Sequence, residues 1–97
     1  MDQINFEWDA GKDKNNINKH GVSFEEAKTV FYDEYAISYF DPDHSEDEDR
    51  FILLGMSFKL KTLVICHCFR QEEKIVRIIS ARKADKDEDQ VYWRDRK

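Results

Sequence analysis

The spacing of apolar and polar residues changes several times along this chain, and each change marks the boundary of a predicted element. Residues 5–8, Asn-Phe-Glu-Trp, alternate between polar and apolar side chains, which predicts a short strand. Residues 10–20 are mostly polar, but Asp9 before them and Gly21 after them are residue types that begin and end helices. We therefore predict a first helix over residues 10–20.

A second helix has stronger signals at its start. Ser23 and Glu26 have the spacing of a capping box, in which each side chain satisfies a backbone N–H of the first turn. Apolar side chains then recur at helical spacing, at Phe24, Ala27, Val30 and Phe31. We expect this helix to end near residues 33–34.

After the second helix the pattern becomes typical of strands. Four segments are rich in β-branched and aromatic residues, namely 35–40, 50–58, 60–69 and 75–81. The last three are joined by short polar connections, which predicts an antiparallel meander. Residues 63–65 and most of 75–79 are apolar on both faces, as expected of strands in the middle of a sheet.

The C-terminal residues 84–96 predict a third helix, because acidic residues crowd its start and basic residues crowd its end, the order that the helix dipole favours. Together the elements predict a single α+β domain over residues 1–97. In this domain two N-terminal helices pack on an antiparallel sheet of about four strands, and a C-terminal helix closes the structure.

Length and composition limit the classes of protein to which the chain can belong. Its 97 residues are 40% hydrophobic and 13% aromatic, which provides enough apolar side chains for one core. No apolar run approaches the ~18 residues that span a bilayer, and residues 1–5 lack the features of a secretory signal. We therefore expect a cytoplasmic protein without membrane contact, in which both cysteines are reduced thiols.

Charge is distributed unevenly between the two halves of the chain. The formal net charge of −5 by itself argues against a nucleic-acid binder. Residues 1–49, however, carry −10 and contain no arginine, whereas residues 50–97 carry +5 and contain all six arginines. A local basic surface is sufficient to attract a polyanion. The alternative is that the acidic residues form a solvated surface and that the arginines pair with them.

Two segments resemble metal sites only superficially. Residues 41–49 contain six acidic residues, but Glu46 stands where a calcium loop needs glycine, and Ile52 stands where it needs a bidentate glutamate. A solvated loop is the favoured interpretation, and a weak divalent-ion site stays open as the alternative. On a strand, Cys66 and Cys68 point to one face and His67 to the other, so they do not form a zinc triplet. We therefore predict no metal ligands and no cofactor.

The second half of the chain does contain the side chains that RNA cleavage without a metal requires. Such a reaction needs a base for the 2′-OH proton, an acid for the leaving oxygen, and fixed cations for the phosphate. Three predicted neighbouring strands supply an imidazole, a hydroxyl and four guanidinium groups, namely Arg50, His67, Arg70, Arg77, Ser80 and Arg82. The alternatives are that His67 is a buried structural histidine and that the arginines form surface ion pairs.

Further candidates for RNA contacts lie outside these strands. Lys19 and His20 sit at the end of the first predicted helix, where the alternative role is capping. Together with Arg77 and Ser80 they are the candidate RNA-binding residues. Aromatic side chains near the chain ends could stack on bases or complete a small core, namely Trp8, Tyr92 and Trp93.

Several blocks of the sequence resemble the BrnT family of toxins from type II toxin–antitoxin systems. The first runs from Phe6-Glu7-Trp8-Asp9 through Lys12 and Asn15 or Asn16 to the block Lys19-His20-Gly21-Val22-Ser23-Phe24-Glu25-Glu26-Ala27. The others are Asp41-Pro42-Asp43-His44-Ser45 with Arg50-Phe51, and Arg77-Ile78-Ile79-Ser80-Ala81-Arg82-Lys83-Ala84. The resemblance covers nearly the whole chain, from Phe6 to about Tyr92.

The resemblance implies a RelE-like ribonuclease fold and a metal-independent endoribonuclease that inhibits translation. It also implies a cognate BrnA-like antitoxin with a ribbon-helix-helix part, through which the toxin contacts DNA only indirectly. Carried over to this chain, the candidate catalytic residues are Arg50, His67, Arg70, Arg82 and Tyr92. We expect His67 to act as general base or acid, Arg50 and Arg82 to hold the phosphate, and Arg70 or Tyr92 to support them.

Two other functions remain compatible with the sequence. The chain could be an interaction module that has lost cleavage and acts as a co-repressor with a DNA-binding antitoxin. It could also be a plain metal-binding domain that uses residues 41–49. Toxicity on expression would separate the first of these from the nuclease, and calcium-dependent thermal stabilisation would be required for the second.

Overall fold

Strands and helices follow one another in an order close to the predicted one. The computed structural model describes residues 3–94. The last two residues of the predicted C-terminal helix, Asp95 and Arg96, lie outside this range. The elements are β1 (Asn5–Glu7), α1 (Ala10–His20), α2 (Phe24–Thr29), β2 (Ile37–Phe40), β3 (Phe51–Met56), β4 (Thr62–Arg70), β5 (Ile75–Lys83) and α3 (Lys86–Arg94). None of the helices in this range is long and apolar enough to cross a membrane.

The caps of the first two helices are those that the sequence predicts. The Asp9 side chain accepts a hydrogen bond from Lys12 N at 2.9 Å, and Gly21 follows α1 in the left-handed conformation with φ 70°. The Ser23 side chain accepts from Glu26 N at 3.0 Å at the start of α2. The Glu26 half of the predicted capping box is wrong, because the buried Glu26 carboxylate accepts from Ser57 Oγ at 2.7 Å instead. The α-helix ends at Thr29, but it continues directly as a 3₁₀ turn over Val30–Tyr32 with Asp33 as its C-cap, so the helical segment as a whole ends near the predicted residues 33–34.

The sheet has five strands and is mixed, whereas the sequence predicts about four antiparallel strands. The strand order is β1-β5-β4-β3-β2, and only the β1–β5 pair is parallel. Strand β1 has three residues, and its partner begins at Ile75, so nothing in the local pattern identifies the pairing. The remaining pairs form the predicted antiparallel meander, with β4 in the middle of the sheet.

The two faces of the sheet carry different helices. On one face, called the helix face below, α1 and α2 bury an apolar core with β4 and β5. Asn16 of α1 secures this packing through buried hydrogen bonds of its side chain to Ala81 O (2.7 Å), Ala81 N (3.1 Å) and Val22 O (2.8 Å). On the opposite face, α3 packs Tyr92 against Leu54 and Val64.

An irregularity in the β4–β5 pairing sets the direction of the side chains on β5. Cys66 pairs with Ser80, but the next residue, His67, pairs with Ile78, so β5 contains one extra residue. Beyond this bulge Arg77 pairs with Cys68. Since Cys66 and Cys68 point to the same face, Arg77 also lies on the face of Ser80, although simple alternation would separate the two.

Candidate functional site

A cleft opens beside the 41–50 loop, on the sheet face that carries α3. Its floor follows one row of paired residues across four strands, Tyr39, Ile52, Cys66 and Ser80. Arg82 lies one position further along β5 on the same face, and Arg50 lies just before β3. The cleft has a volume of about 340 Å³ and is lined by Tyr39, Asp41, His44, Arg50, Ile52, Val64, Cys66, Ile79, Ser80 and Arg82.

Arg82 presents its guanidinium group to one side of this cleft, where a carboxylate already binds it. Its Nη1 and Nη2 atoms donate to the two oxygens of Glu88 at 2.7 and 2.8 Å, a bidentate pair. This hydrogen bonding raises the pKa of Arg82 and lowers the pKa of Glu88. Glu88 is therefore ionised at neutral pH. It is also held by Asp85 N, which donates to its Oε1 atom at 2.8 Å.

Arg50 is held from its backbone side, while part of its guanidinium group has no partner. Arg50 N donates to Ser45 Oγ at 2.9 Å, and Arg50 O accepts from Asp41 N at 2.9 Å. The Nε atom is buried, and it makes no hydrogen bond to any residue in the described range. A buried donor without an acceptor is costly to the folded state.

His44 and Asp41 form an oriented pair at the rim of the cleft. His44 Nδ1 lies 2.9 Å from Asp41 Oδ2. In the neutral imidazole, donation from Nδ1 to this carboxylate leaves Nε2 as the acceptor. The Asp41 side chain is 13% exposed, whereas that of His44 is 65% exposed and accessible to a ligand.

The remaining polar groups of the cleft are held in their protonated forms. Burial raises the pKa of the Tyr39 hydroxyl, and the nearby Glu88 carboxylate adds to the effect. Burial likewise raises the pKa of the Cys66 thiol, although Arg50 and Ser80 oppose this. Tyr39 is therefore a proton donor at neutral pH, and Cys66 is a poor nucleophile.

Of the residues chosen from the sequence, the structure brings together Arg50, Ser80 and Arg82. The expectation that His67 lies with them is wrong. His67 is on the helix face, only 2% exposed, and packed against Phe31 and Phe69 with ring centroids at 4.9 and 5.5 Å. Burial lowers its pKa to about 4, which keeps the imidazole neutral. His67 is therefore a buried structural histidine, which is the alternative that the sequence left open.

Tyr92, Lys19 and His20 also lie away from the cleft lining. Tyr92 is 1% exposed and donates its hydroxyl hydrogen to Asp33 Oδ2 at 2.6 Å, so it fastens α3 to the edge of the sheet. Lys19 and His20 are in the last turn of α1, which packs on the helix face. These three residues therefore occupy structural or remote positions.

Arg70 and Arg77 lie on the cleft face but form ion pairs at its margins. Arg70 Nη1 is 3.1 Å from Glu48 Oε2, and Arg77 Nη1 is 2.7 Å from Glu7 Oε2. With the Arg82–Glu88 pair, these contacts confirm the alternative that several arginines neutralise carboxylates. Arg50 differs from Arg70, Arg77 and Arg82, since its Nε atom is buried and has no partner within the described residues.

Sequence reasoning missed Tyr39, His44 and Glu88. Tyr39 and Asp41 are two residues apart, so they continue one face of β2 into the loop, and His44 follows three residues after Asp41. Spacing alone does not distinguish this arrangement from a polar turn. Glu88 is the third residue of α3, where it forms a reciprocal capping box with Asp85, so its spacing is explained without a site.

The acidic loop uses several of its polar groups for hydrogen bonds within itself. Within residues 3–94, no three histidine, cysteine, aspartate or glutamate side chains are grouped as metal ligands. The Asp41 carboxylate is occupied by His44 and by Asp43 N at 3.3 Å. Ser45 Oγ donates to Asp41 O, which closes the turn.

Comparison with known proteins gives two findings. The sequence model of a family described as "Ribonuclease toxin, BrnT, of type II toxin-antitoxin system" matches residues 8–88 of this chain. Among solved structures, the crystal structure of the Brucella abortus ribonuclease toxin BrnT superposes with a TM-score of 0.63 and 21% sequence identity. The match covers 87% of this chain and 100% of that one, which shows a common fold. No curated protein sequence matches significantly.

Proposed function

This chain belongs to the BrnT family of ribonuclease toxins of type II toxin–antitoxin systems, and on that premise we propose that it is a metal-independent endoribonuclease. In this proposal residues 1–97 act as a single RelE-like toxin domain that cleaves RNA and inhibits translation. A cognate BrnA-like antitoxin with a ribbon-helix-helix part neutralises it. The observation that supports this most directly is the cleft, which combines two guanidinium groups with an oriented histidine.

The chemistry of the cleft matches the needs of phosphodiester cleavage. His44 Nε2 accepts the proton of the 2′-OH as its oxygen attacks phosphorus, and Asp41 stabilises the imidazolium that forms. Tyr39, which keeps its proton at neutral pH, donates to the leaving oxygen. Arg50 and Arg82 hold the phosphate oxygens while negative charge builds on them. Ser80 supplies a further hydroxyl on the cleft floor.

The catalytic role of His44 gives the first test. We expect His44→Ala to lower the rate of RNA cleavage by about 100-fold, the lower end of the usual contribution of a general base. Asp43→Asn, in the same turn, serves as the matched control and retains the wild-type rate. Cleavage would be measured with purified protein in the presence of EDTA. Equal rates for His44→Ala and wild type would remove His44 from the mechanism, and loss of wild-type cleavage in EDTA would contradict metal independence.

Glu88 competes with RNA for Arg82 in this scheme, which gives the second test. A phosphate can take the bidentate position only if the Glu88 carboxylate leaves it. Glu88→Gln removes the charge and keeps an oxygen that can accept from Asp85 N. We expect it to tighten binding of a 2′-O-methyl RNA, which cannot be cleaved, by about tenfold, because a charge-assisted contact is weakened.

Asp87→Asn provides the matched control for Glu88→Gln, since Asp87 is an exposed residue of the same helix turn. It removes the same charge and is expected to change the RNA affinity by less than about twofold, because exposed charges are screened by salt. The affinities would be compared by fluorescence anisotropy. If both variants bind the RNA more tightly by the same factor, the effect is due to net charge, and direct competition at Arg82 is contradicted.

A second function remains a candidate because three of the arginines already bind carboxylates. A module without cleavage that acts as co-repressor with a DNA-binding antitoxin would need no free guanidinium group. Growth arrest on induced expression of the chain without any antitoxin separates the two functions. Arrest with RNA degradation supports the nuclease, and normal growth with a soluble, folded protein supports the co-repressor.

A further inference from the structure

A row of aromatic rings occupies the part of the helix face that α1 and α2 leave uncovered. Successive ring centroids are 4.9–5.8 Å apart along the row Phe31, His67, Phe69, Phe51 and Phe40. Phe40 and Phe69 are 48% and 38% exposed. Three rings of this row, Phe31, His67 and Phe69, border a groove of about 630 Å³ together with Ile4, Leu53 and Val76, called the aromatic groove below.

The rim of the aromatic groove is acidic at one end, where Phe69 and Glu73 also border a second recess. Beside Phe51 and Phe69 lies a recess lined by Glu48, Asp49, Glu72 and Glu73. Glu48 is paired with Arg70, which leaves three exposed acidic residues around the rings. Lys74 is the only cationic residue among those that the structure places along the groove. A ligand for this surface therefore needs apolar groups for the rings and positive charge for the rim.

The β4–β5 turn holds two of these acidic residues in place at a conformational cost. Gln71, Glu72 and Glu73 all have positive φ values, 51°, 58° and 69°, which costs each of these residues on the order of 1 kcal/mol. The turn is closed by Lys74 N, which donates to Arg70 O at 3.1 Å. It thus presents Glu72 and Glu73 beside the exposed ring of Phe69.

We propose that the aromatic groove is a docking site for a basic amphipathic segment of a partner protein. Apolar side chains of this segment fill the groove, and lysine or arginine side chains around them meet Asp49, Glu72 and Glu73. A second copy of this chain fits poorly, because its acidic rim would face another acidic rim. RNA fits poorly for the same reason, since phosphates are repelled by the carboxylates.

The groove and the cleft lie on opposite faces of the sheet, so this proposal does not depend on the catalytic assignment. Only the identification of this partner as the antitoxin expected for the family rests on the proposed function. The chemistry of the docking segment rests only on the groove. The two proposals can therefore fail separately.

The test uses the full chain and two synthetic helical peptides of about 14 residues, long enough for a helix to form on binding. Both carry leucines along one face, and their other positions are lysine in one peptide and glutamate in the other. Binding would be measured by calorimetry at about 0.1 M salt. We expect the lysine peptide to bind and the glutamate peptide to bind at least tenfold more weakly.

Matched variants distinguish groove binding from general attraction to an acidic protein. Phe69→Ser is expected to lower the affinity for the lysine peptide at least tenfold. Phe58→Ser, at an exposed ring in the β3–β4 turn, is expected to leave this affinity unchanged. The double variant Glu72→Gln/Glu73→Gln is expected to lower the affinity for the lysine peptide several-fold. Asp43→Asn/Asp47→Asn removes the same charge from the other acidic loop and has no effect. If Phe69→Ser does not fold, Ile4→Ser, at a half-buried residue of the groove lining, replaces it.

Several results would overturn the proposal. Equal losses with Phe58→Ser and Phe69→Ser, or with the two double variants, would show non-specific binding. A dimer of the wild-type chain in sedimentation that Phe69→Ser dissociates would make the groove an interface between copies. Weaker binding of the 2′-O-methyl RNA by Phe69→Ser would assign the groove to RNA.

Discussion

Arg82→Ala is expected to abolish growth arrest and to lower the RNA cleavage rate by about 100- to 1000-fold, the usual loss when one group that stabilises transition-state charge is removed. Arg82 is the side chain of the cleft whose planar fork is already shown to bind an oxyanion in bidentate geometry, with Glu88 as that oxyanion. A phosphate oxygen pair can replace the carboxylate with the same two donors. Induced expression followed by examination of total RNA measures the effect in cells.

Lys83→Ala is the matched control for this experiment. Lys83 is the next residue on β5 and pairs with Leu63 of the helix-face core, so it points away from the cleft. We expect it to remain toxic. Arg82→Lys keeps the charge but not the fork, and intermediate activity is expected. Full toxicity of Arg82→Ala, with unchanged protein levels and thermal stability, would contradict the phosphate-binding role.

The stability of the Arg82→Ala variant decides how its activity is interpreted. The Arg82–Glu88 pair is partly exposed, with side-chain exposures of 43% and 22%, so solvent screens it. Exposed pairs contribute about 0–1 kcal/mol to the free energy of unfolding. The variant should therefore fold. A large fall in the unfolding temperature would indicate that Arg82 is a structural anchor for α3.

The local parts of the fold follow from the sequence, because caps and strand alternation act over a few residues. Asp9, Gly21 and Ser23 occupy the cap positions that their chemistry favours. The parallel β1–β5 pair could not be predicted, since Asn5 and Ile75 are distant along the chain and three residues carry little pattern. The change from α-helix to 3₁₀ turn after Thr29 has no local sequence signal, and the Thr29 hydroxyl there accepts from Phe58 N at 3.0 Å and donates to Glu26 O at 2.7 Å.

The candidate site was predictable only where strand period alone decides which face a side chain occupies. Ser80 and Arg82 are two residues apart and share a face, as expected. The same alternation places His67 on the face opposite to Cys66 and therefore opposite to the cleft floor. Strand alternation thus already indicated that His67 does not lie with the arginines of the cleft. Arg77 is on the cleft face only because of the bulge, which no sequence signal marks. Glu88 and His44 depend on how α3 and the loop pack.

The position of His67 leads to a second large effect, on stability rather than on catalysis. Its pKa falls from 6.5 to about 4 on folding, because burial among aromatic rings disfavours the charged imidazole. Between these values the unfolded chain binds a proton that the folded chain does not. Acidification therefore favours unfolding as the pH falls from about 6.5 to about 4, and this contribution is absent above pH 7.

We expect this linkage to lower the free energy of unfolding by about 2 kcal/mol at pH 5 and about 3 kcal/mol at pH 4, relative to pH 7.5. His67→Leu removes the titrating group and keeps an apolar side chain in the slot. The variant's absolute stability changes through packing. Between pH 7.5 and pH 5, however, its free energy of unfolding should fall by about 2 kcal/mol less than that of the wild type. Urea unfolding at several pH values measures this difference.

The carboxylates of the chain also titrate in this range, so the informative quantity is the difference between variant and wild type. His20→Leu is the control for loss of a histidine, since it removes an imidazole at the half-buried end of α1. Its pH profile should follow that of the wild type more closely than the His67→Leu profile does. Parallel profiles for wild type and His67→Leu would contradict the depressed pKa.

The same His67→Leu protein separates the two assignments of the catalytic histidine. If His44 is the base, the variant cleaves RNA at close to the wild-type rate at pH 7.5, because the His67 ring is on the opposite face of the sheet from Arg50 and Arg82. If His67 were the base, cleavage would fall by about 100-fold or more while the protein stayed folded. Because a neutral, buried imidazole without access to the cleft cannot reach a 2′-OH there, we expect activity to persist.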